Sequence, residues 1–235
     1  MKATREFDEI TVFGARGHTL LILRGLEEAW QGRVRVRALI DDIENGFTHT
    51  GLGVPVISSA ERLQGYPALP VLLTVTKPAL RLRTALRLQD EGATLATAVS
   101  TGVVHVDPAV TFGPGAVCMP WTRLGPNISL GAGAIVLARA IGHDVEIGDF
   151  STLAGETLIL GHVSIGREVN IAPGATIANG RRIKPLRIGD RAEIGVGAVV
   201  AGDVAPGARV IGNPAMPIRD WVRLRRLARQ QGGQG

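Results

Sequence analysis

From residue 106 onward, apolar side chains recur at every sixth position, a spacing that fits neither a helix of period 3.6 nor a strand of period two. A first register runs Val106, Phe112, Cys118, Leu124, Leu130 and Val136. A second runs Ile141, Ile147, Leu153, Ile159, Ile165, Ile171, Ile177 and Ile183, and a third Ile188, Ile194 and Val200. One-residue slips separate the registers, so the turns change there while the repeat continues. A six-residue unit that buries one side chain and then turns at a glycine or small residue predicts a β-solenoid, three units to each triangular coil. Beyond Pro217, Arg219–Gln230 reads as a basic amphipathic helix with Trp221, Leu224 and Leu227 on one face, suited to capping an open coil edge.

The first hundred residues follow a different pattern, alternating β and α. Ile10–Phe13 is a short apolar run stopped by Gly14, and His18–Trp30 then carries helical periodicity through Leu20, Leu21, Leu23 and Leu26. Val34–Ile40 alternates as a strand and ends on Asp41-Asp42. Val71–Val75 reads as a third, buried strand, and Pro78–Glu91 as a helix. This order predicts a small parallel sheet, in which ligands gather at the carboxyl ends of the strands.

Composition agrees with this division. Glycine occupies 31 of 235 positions while aromatics make up 4%, as short strands joined by tight turns require. The 45% of apolar residues can fill a sizeable core. Lysine occurs only at Lys2, Lys77 and Lys184, so arginine carries the +5 net charge. That charge is spread along the chain. It suits anionic small molecules and lacks the concentrated stripe that duplex nucleic acid demands. No apolar run reaches the length of a membrane span, and MKATREFDEI lacks the apolar stretch of a signal peptide. The lone Cys118 excludes an internal disulfide or a cysteine-based zinc cluster. The expectation is a soluble cytoplasmic protein.

Gly14-x-x-Gly17 lies between a strand and a helix, where backbone N–H groups and the helix dipole attract phosphate. A structural turn would favour the same glycines. With Asp41-Asp42 at the end of the next strand, a nucleotide site is the better reading, because carboxylates there accept from ribose hydroxyls or a uracil N–H. A dinucleotide would want a third glycine, which this spacing lacks. His18 is either a sugar or phosphate contact or a satisfied helix-start histidine.

Leu130-Gly-Ala-Gly-Ala, Ile147-Gly-Asp-Phe-Ser, Ile165-Gly-Arg-Glu-Val and Ile194-Gly-Val-Gly-Ala resemble the hexapeptide repeats of the left-handed β-helix acyltransferases. The ending from Gly197 to Gly212-Asn-Pro-Ala is similar to that superfamily's closing segment. Val12-Phe-Gly-Ala-Arg16-Gly-His18 followed by Asp41-Asp42 resembles the nucleotide-sugar domain of the NeuD/PglD-type sugar O- and N-acyltransferases. The resemblance implies a Rossmann-like α/β nucleotide-sugar domain over 1–100 and a left-handed parallel β-helix over 101–217, followed by a basic helical tail over 218–235. It also implies a homotrimer using acetyl-CoA as cosubstrate, with no metal.

What the resemblance implies for the site is specific. Ile141-Gly-His143-Asp144-Val-Glu-Ile147-Gly-Asp-Phe150 matches the catalytic segment, with His143 as general base and Asp144 orienting it. An oxyanion donor is expected from a glycine one coil later, and counting 18 residues from His143 reaches Gly161. Gly14, Arg16, Gly17, His18, Asp41, Asp42, Lys77 and Arg81 would hold the nucleotide sugar, a UDP-4-amino sugar in the leading reading. Gly161, Thr152, Pro173, Arg181 and Arg182 would face coenzyme A. Ala178–Arg187 interrupts the repeat, and its arginines either meet coenzyme A phosphates or form a solvated loop.

Three departures from the family pattern stand out. Val136 or Leu137 replaces the usual asparagine before the base, Thr152 the usual second histidine, and Thr76-Lys77 the usual glycine–asparagine turn. The first two leave room for a non-catalytic nucleotide-sugar scaffold. A more distant alternative is a zinc hydratase like the γ-class carbonic anhydrases, built on His105, His143 and His162. The closest pair of these is nineteen residues apart in sequence, against five in that family.

Overall fold

The computed structural model describes residues 1–99 and 108–231. His105, Val106 and the boundary expected at 100–101 lie outside the described residues. The N-terminal half comprises β1 (Ala3–Thr4), β2 (Glu9–Phe13), α1 (Gly17–Trp30), β3 (Arg35–Ile40), β4 (Phe47–His49), β5 (Val54–Ile57), α2 (Ser59–Gly65), β6 (Val71–Leu73), α3 (Pro78–Asp90) and β7 (Leu95–Ala96). These strands form one sheet in the order β1-β7-β6-β2-β3-β5-β4, parallel except for β4. The chain builds outward from β2 in both directions, through β3 on one side and β6 on the other. That junction is the switch point of a doubly wound α/β sheet, where a crevice opens beyond the strand ends.

The periodic elements fall where the apolar pattern puts them, within a residue or two. Absent from that pattern are the β4–β5 hairpin and α2. The latter starts on a capping box in which Ser58 and Glu61 satisfy each other's backbone N–H groups. Strand β6 stops at Leu73, and the next residue, Thr74, donates both its N–H and its hydroxyl to the carbonyl of Phe13 at 3.2 and 2.9 Å.

From Thr111 the chain winds into a parallel β-helix with three sheets. Val145 pairs with Val163 and Val163 with Leu186, so successive coils lie 18 and then 23 residues apart. The coil before Val145 is one residue shorter, since Ile128 pairs with Val145. This is the slip seen between the first two registers. The core is a stack of these periodic residues, among them Ile147, Ile165 and Ile188 from one sheet and Ile141, Ile159 and Ile177 from another. Ile183 departs from the expectation, being 89% exposed. Five extra residues loop out after Ala178, with Arg181 and Lys184 exchanging backbone hydrogen bonds at 2.9 Å, so Ile183 keeps the six-residue count by coincidence. The repeat resumes at Ile188.

The two halves share apolar cores. Leu23 and Leu26 of α1 pack in one cluster with Val117, Met119, Ile135 and Leu137 of the coil. Glycine at position 25 permits this approach, because a Cβ there would meet Met119 Cε at 2.4 Å and the Trp121 ring at 2.5 Å. The terminal helix α4 (Ile218–Gln231) lies against the last coil strands, with Trp221 near Gly212 and under the Arg225 guanidinium at 4.8 Å. Only Trp221 of the expected apolar face is half-buried; Leu224 and Leu227 remain exposed.

Candidate functional site

Two regions gather the chemistry-bearing residues. The first is a cavity of about 510 Å³ over the carboxyl ends of β2, β3 and β6. Gly14, Arg16, Gly17, His18, Asp41, Asp42 and Lys77 all line it, with Thr74, Thr76 and Arg87. Gly14 has φ +126°, and a Cβ there would strike the hydroxyls of Thr19 and Thr74 at 2.5 and 2.6 Å. Helix α1 begins at Gly17 with no side chain capping it, so its first N–H groups face the cavity.

The two acidic residues are partly spoken for. Asp41 Oδ1 accepts from the N–H groups of Ile43 and Glu44 at 2.9 and 3.2 Å, and Oδ2 lies 3.5 Å from Arg16. Asp42 accepts from the N–H and hydroxyl of Ser59 and from Arg87 at 2.9 Å. Burial raises the Asp42 carboxyl, but the Ser59 and Arg87 bonds outweigh it and hold the group below the ordinary carboxylate range.

Arg81 is not where the sequence placed it. It is fully buried and does not line the cavity. Its guanidinium donates to the carbonyls of Val75 and Thr76 on one side, and to Gly133, Phe150 and Ser151 of the coil on the other, at 2.6–3.1 Å. Burial draws its pKa down to about 9, still above neutrality. Thr152 acts alongside it: its side chain is buried and its hydroxyl donates to Thr76 O at 2.7 Å. Both residues therefore tie the cavity rim to the coil, and Thr152 has turned from the expected cofactor position to that role.

The second region is a corner of the β-helix. Successive coils stack Asn127, Asp144 and His162 at one turn position, each with positive φ of 54°, 56° and 56°. Asparagine, aspartate and histidine are the non-glycine residues that best tolerate this conformation. His143 precedes Asp144 and Gly161 precedes His162, so the base candidate sits directly over the glycine. A Cβ on Gly161 would fall 2.5 Å from His143 Nε2. Asp144 Oδ2 lies 2.7 Å from His143 Nδ1 and 3.5 Å from His162 Nδ1, while Asn127 donates to Oδ1 at 3.0 Å. The two imidazoles meet edge to face at 4.8 Å. The His143 bond first, then the Asn127 amide, lowers the Asp144 carboxyl below its ordinary value. His143 is half-exposed, open to an incoming acceptor.

The nineteen residues between His143 and His162 are one coil plus one residue, so the spacing that argued against convergence instead brings the rings together. Sequence reasoning passed over Asn127, and over Asn179, whose Oδ1 accepts from the Gly161 N–H at 2.7 Å. Counting coil steps would have found both: 17 residues back from Asp144 reach Asn127, and 18 on from Gly161 reach Asn179. Asn179, Arg181, Lys184 and Asp203 line a further cavity of about 320 Å³. Arg182 is exposed outside that lining, and Pro173 is an exposed turn residue whose carbonyl accepts from Gly197. Val136 and Leu137 are buried in the core, so neither supplies a polar group in place of the expected asparagine.

No protein-family model matches the chain. Among solved structures it is similar to WeeI from Acinetobacter baumannii AYE, with 30% identity and a TM-score of 0.81 over 89% of this chain and 99% of that one. The acetyltransferase domain of PglB from Neisseria gonorrhoeae FA1090 shares 25% identity at a TM-score of 0.77, covering 90% of this chain and all of that one. The same domain is known in complex with acetyl coenzyme A. Among curated proteins, the bifunctional protein GlmU of Mycobacterium ulcerans (strain Agy99) is 31% identical over 134 residues, 52% of this chain. UDP-3-O-acylglucosamine N-acyltransferase of Methylobacterium sp. (strain 4-46) is 29% identical over 116 residues, 47% of this chain. The chain spans 26% of the length of both curated relatives.

Proposed function

The chain belongs to the hexapeptide-repeat sugar acyltransferases, an enzyme family, and we propose that it transfers an acetyl group from acetyl-CoA to the amino or hydroxyl group of a nucleotide-linked sugar. Within that class we assign a UDP-4-amino sugar as acceptor. The observation that carries the reading is His143, fixed through Nδ1 to Asp144 at 2.7 Å and seated over Gly161. Donation from Nδ1–H to the carboxylate leaves the lone pair on Nε2, the nitrogen that can take a proton.

The acceptor nitrogen attacks the thioester carbonyl while His143 Nε2 removes its proton. The tetrahedral intermediate then expels the thiolate, which recovers that proton from the imidazolium. The developing oxyanion needs a donor, and the N–H of Gly161, beneath the His143 ring, is the backbone candidate. It now donates to Asn179, so the acetyl oxygen replaces the amide oxygen as its acceptor.

On this reading residues 1–100 form a Rossmann-like nucleotide-sugar domain, 101–217 a left-handed β-helix and 218–235 a tail. The cavity over β2, β3 and β6 takes the nucleotide, with phosphates at the start of α1 beside Arg16, His18 and Lys77. Arg181 faces coenzyme A phosphates from the looped insertion, and Arg182 and Pro173 are assigned to the same cofactor from outside the cavity that Arg181 lines. The protein works in the cytoplasm. The test is turnover of acetyl-CoA with a panel of nucleotide-linked amino sugars: UDP-4-amino sugars should give acetylated product. Absence of turnover with every member would overturn the assignment.

A further inference from the structure

We propose that His143, Asp144 and His162 form a binding site for a divalent transition metal of the zinc class, and that a bound ion disables the imidazole of His143. Binding rests on the geometry of these three side chains alone; only the disabling effect rests on the base assignment above.

One nitrogen of each imidazole and one carboxylate oxygen lie within 4.8 Å of one another. Zinc takes such N and O donors at about 2.0–2.2 Å in a tetrahedron, which spaces neighbouring ligand atoms about 3.3 Å apart. The observed separations from Asp144 Oδ2, 2.7 Å to His143 Nδ1 and 3.5 Å to His162 Nδ1, bracket that edge. The rings meet at 90°, so their nitrogens approach the shared oxygen from different directions. Asn127 bonds the other carboxylate oxygen, Oδ1, at 3.0 Å and leaves Oδ2 for the ion. That is the arrangement of an outer partner that orients a metal ligand. All three side chains are open to solvent, with relative exposures of 52%, 40% and 23%, so an ion has a path in and a fourth position for water. Two imidazoles favour zinc, copper or nickel over magnesium and calcium, which prefer all-oxygen shells.

The consequence for His143 follows from its lone pairs. A neutral imidazole has one N–H and one basic nitrogen. Whichever nitrogen the metal takes, the other keeps its proton and cannot accept another. A metallated His143 is therefore no base.

Calorimetric titration of the full chain with zinc alone should show one ion bound per chain, and magnesium should give no binding heat. Asp144→Asn and His162→Asn should each weaken zinc binding at least tenfold. Asparagine is chosen at position 162 because it tolerates the left-handed backbone there, so loss of the ligand is separated from loss of the fold. No zinc uptake by the native chain, or unchanged affinity in His162→Asn, would overturn the site and leave the base assignment standing. In the second arm, zinc should abolish acetyl transfer and a chelator should restore it. One ion bound with transfer intact would overturn the disabling effect, and with it the base assignment.

Discussion

At the scale of single residues, the site is organised around one carboxylate. Asp144 receives His143, His162 and Asn127, and it can do so because three coils present the same left-handed turn position. Replacing His143 by alanine should lower kcat by about 10²–10⁴-fold, the usual worth of a positioned base. The KM for acetyl-CoA should stay within experimental error, since the ring faces the acceptor's proton. A loss confined to that KM would make His143 a cofactor-pocket residue. Asp144→Asn should lower kcat as well, because the ring loses the partner that orients it, but should cost less than loss of the base. The folded pKa of Asp144 lies below its unfolded value. Its contribution to stability is therefore complete above the unfolded pKa and is lost as pH falls through the lowered one. Acid unfolding of Asp144→Asn followed by circular dichroism should accordingly lack that part of the transition.

At the scale of elements, the link between the sheet and the β-helix rests on Arg81. Removing a buried guanidinium with five carbonyl acceptors strips a donor from each, although Thr76 O keeps the Thr152 hydroxyl and Ser151 O the Ile135 N–H. Arg81→Ala should cost about 1–3 kcal/mol, the penalty of leaving a buried acceptor without its donor, and appear as a lower urea midpoint. Arg81→Lys should recover only part of it, because an ammonium cannot span two segments as a planar fork does. A midpoint unchanged in the alanine variant would refute the link. This residue also marks where sequence reading stopped. Period six disclosed the coil stack, and short apolar runs located β2, β3 and β6, because burial acts on every repeat alike. Nothing local distinguishes an arginine that binds phosphate from one that binds five carbonyls, three of them 52 to 70 residues away. The β4–β5 hairpin stayed hidden because Gly46, Gly51, Gly53 and Pro55 break its apolar run, and α2 because seven residues are too few for a period. His143 and Asp144 are legible through the resemblance of their segment to a family pattern, and Gly161 by counting one coil on from His143, because a fixed coil length converts spacing into proximity. The fate of Ile183 is not, since five inserted residues shift the count, whereas Asn179 lies one 18-residue coil beyond Gly161 and is open to the same counting.

At the scale of the whole molecule, the remaining question is what covers the outside of the coil. The β-helix core is already full, with Ile147, Ile159, Ile165, Ile171 and Ile177 each no more than 2% exposed. Yet Leu160, Ile183 and Val196 stand out from the coil at 38%, 89% and 69% exposure, and Trp121 at its junction with the sheet is 46% exposed. Water penalises such surface at roughly 25 cal/mol per Å², which gives a flat solenoid face a reason to pack against a copy of itself. A contact between such faces that repeats around a three-fold axis closes a ring without leaving an open end. Leu160 adjoins Gly161, so such packing would also wall the His143 corner and exclude water from the transfer. We therefore expect a homotrimer, and light scattering should give a mass near three times that of the 24.7 kDa chain. Leu160→Asp, which places a charge on that face without touching the coil core, should lower the assembled mass and depress transfer together. A native mass near one chain at micromolar concentration would defeat the trimer. Full transfer by a monomeric Leu160→Asp variant would show instead that one chain suffices to build the site.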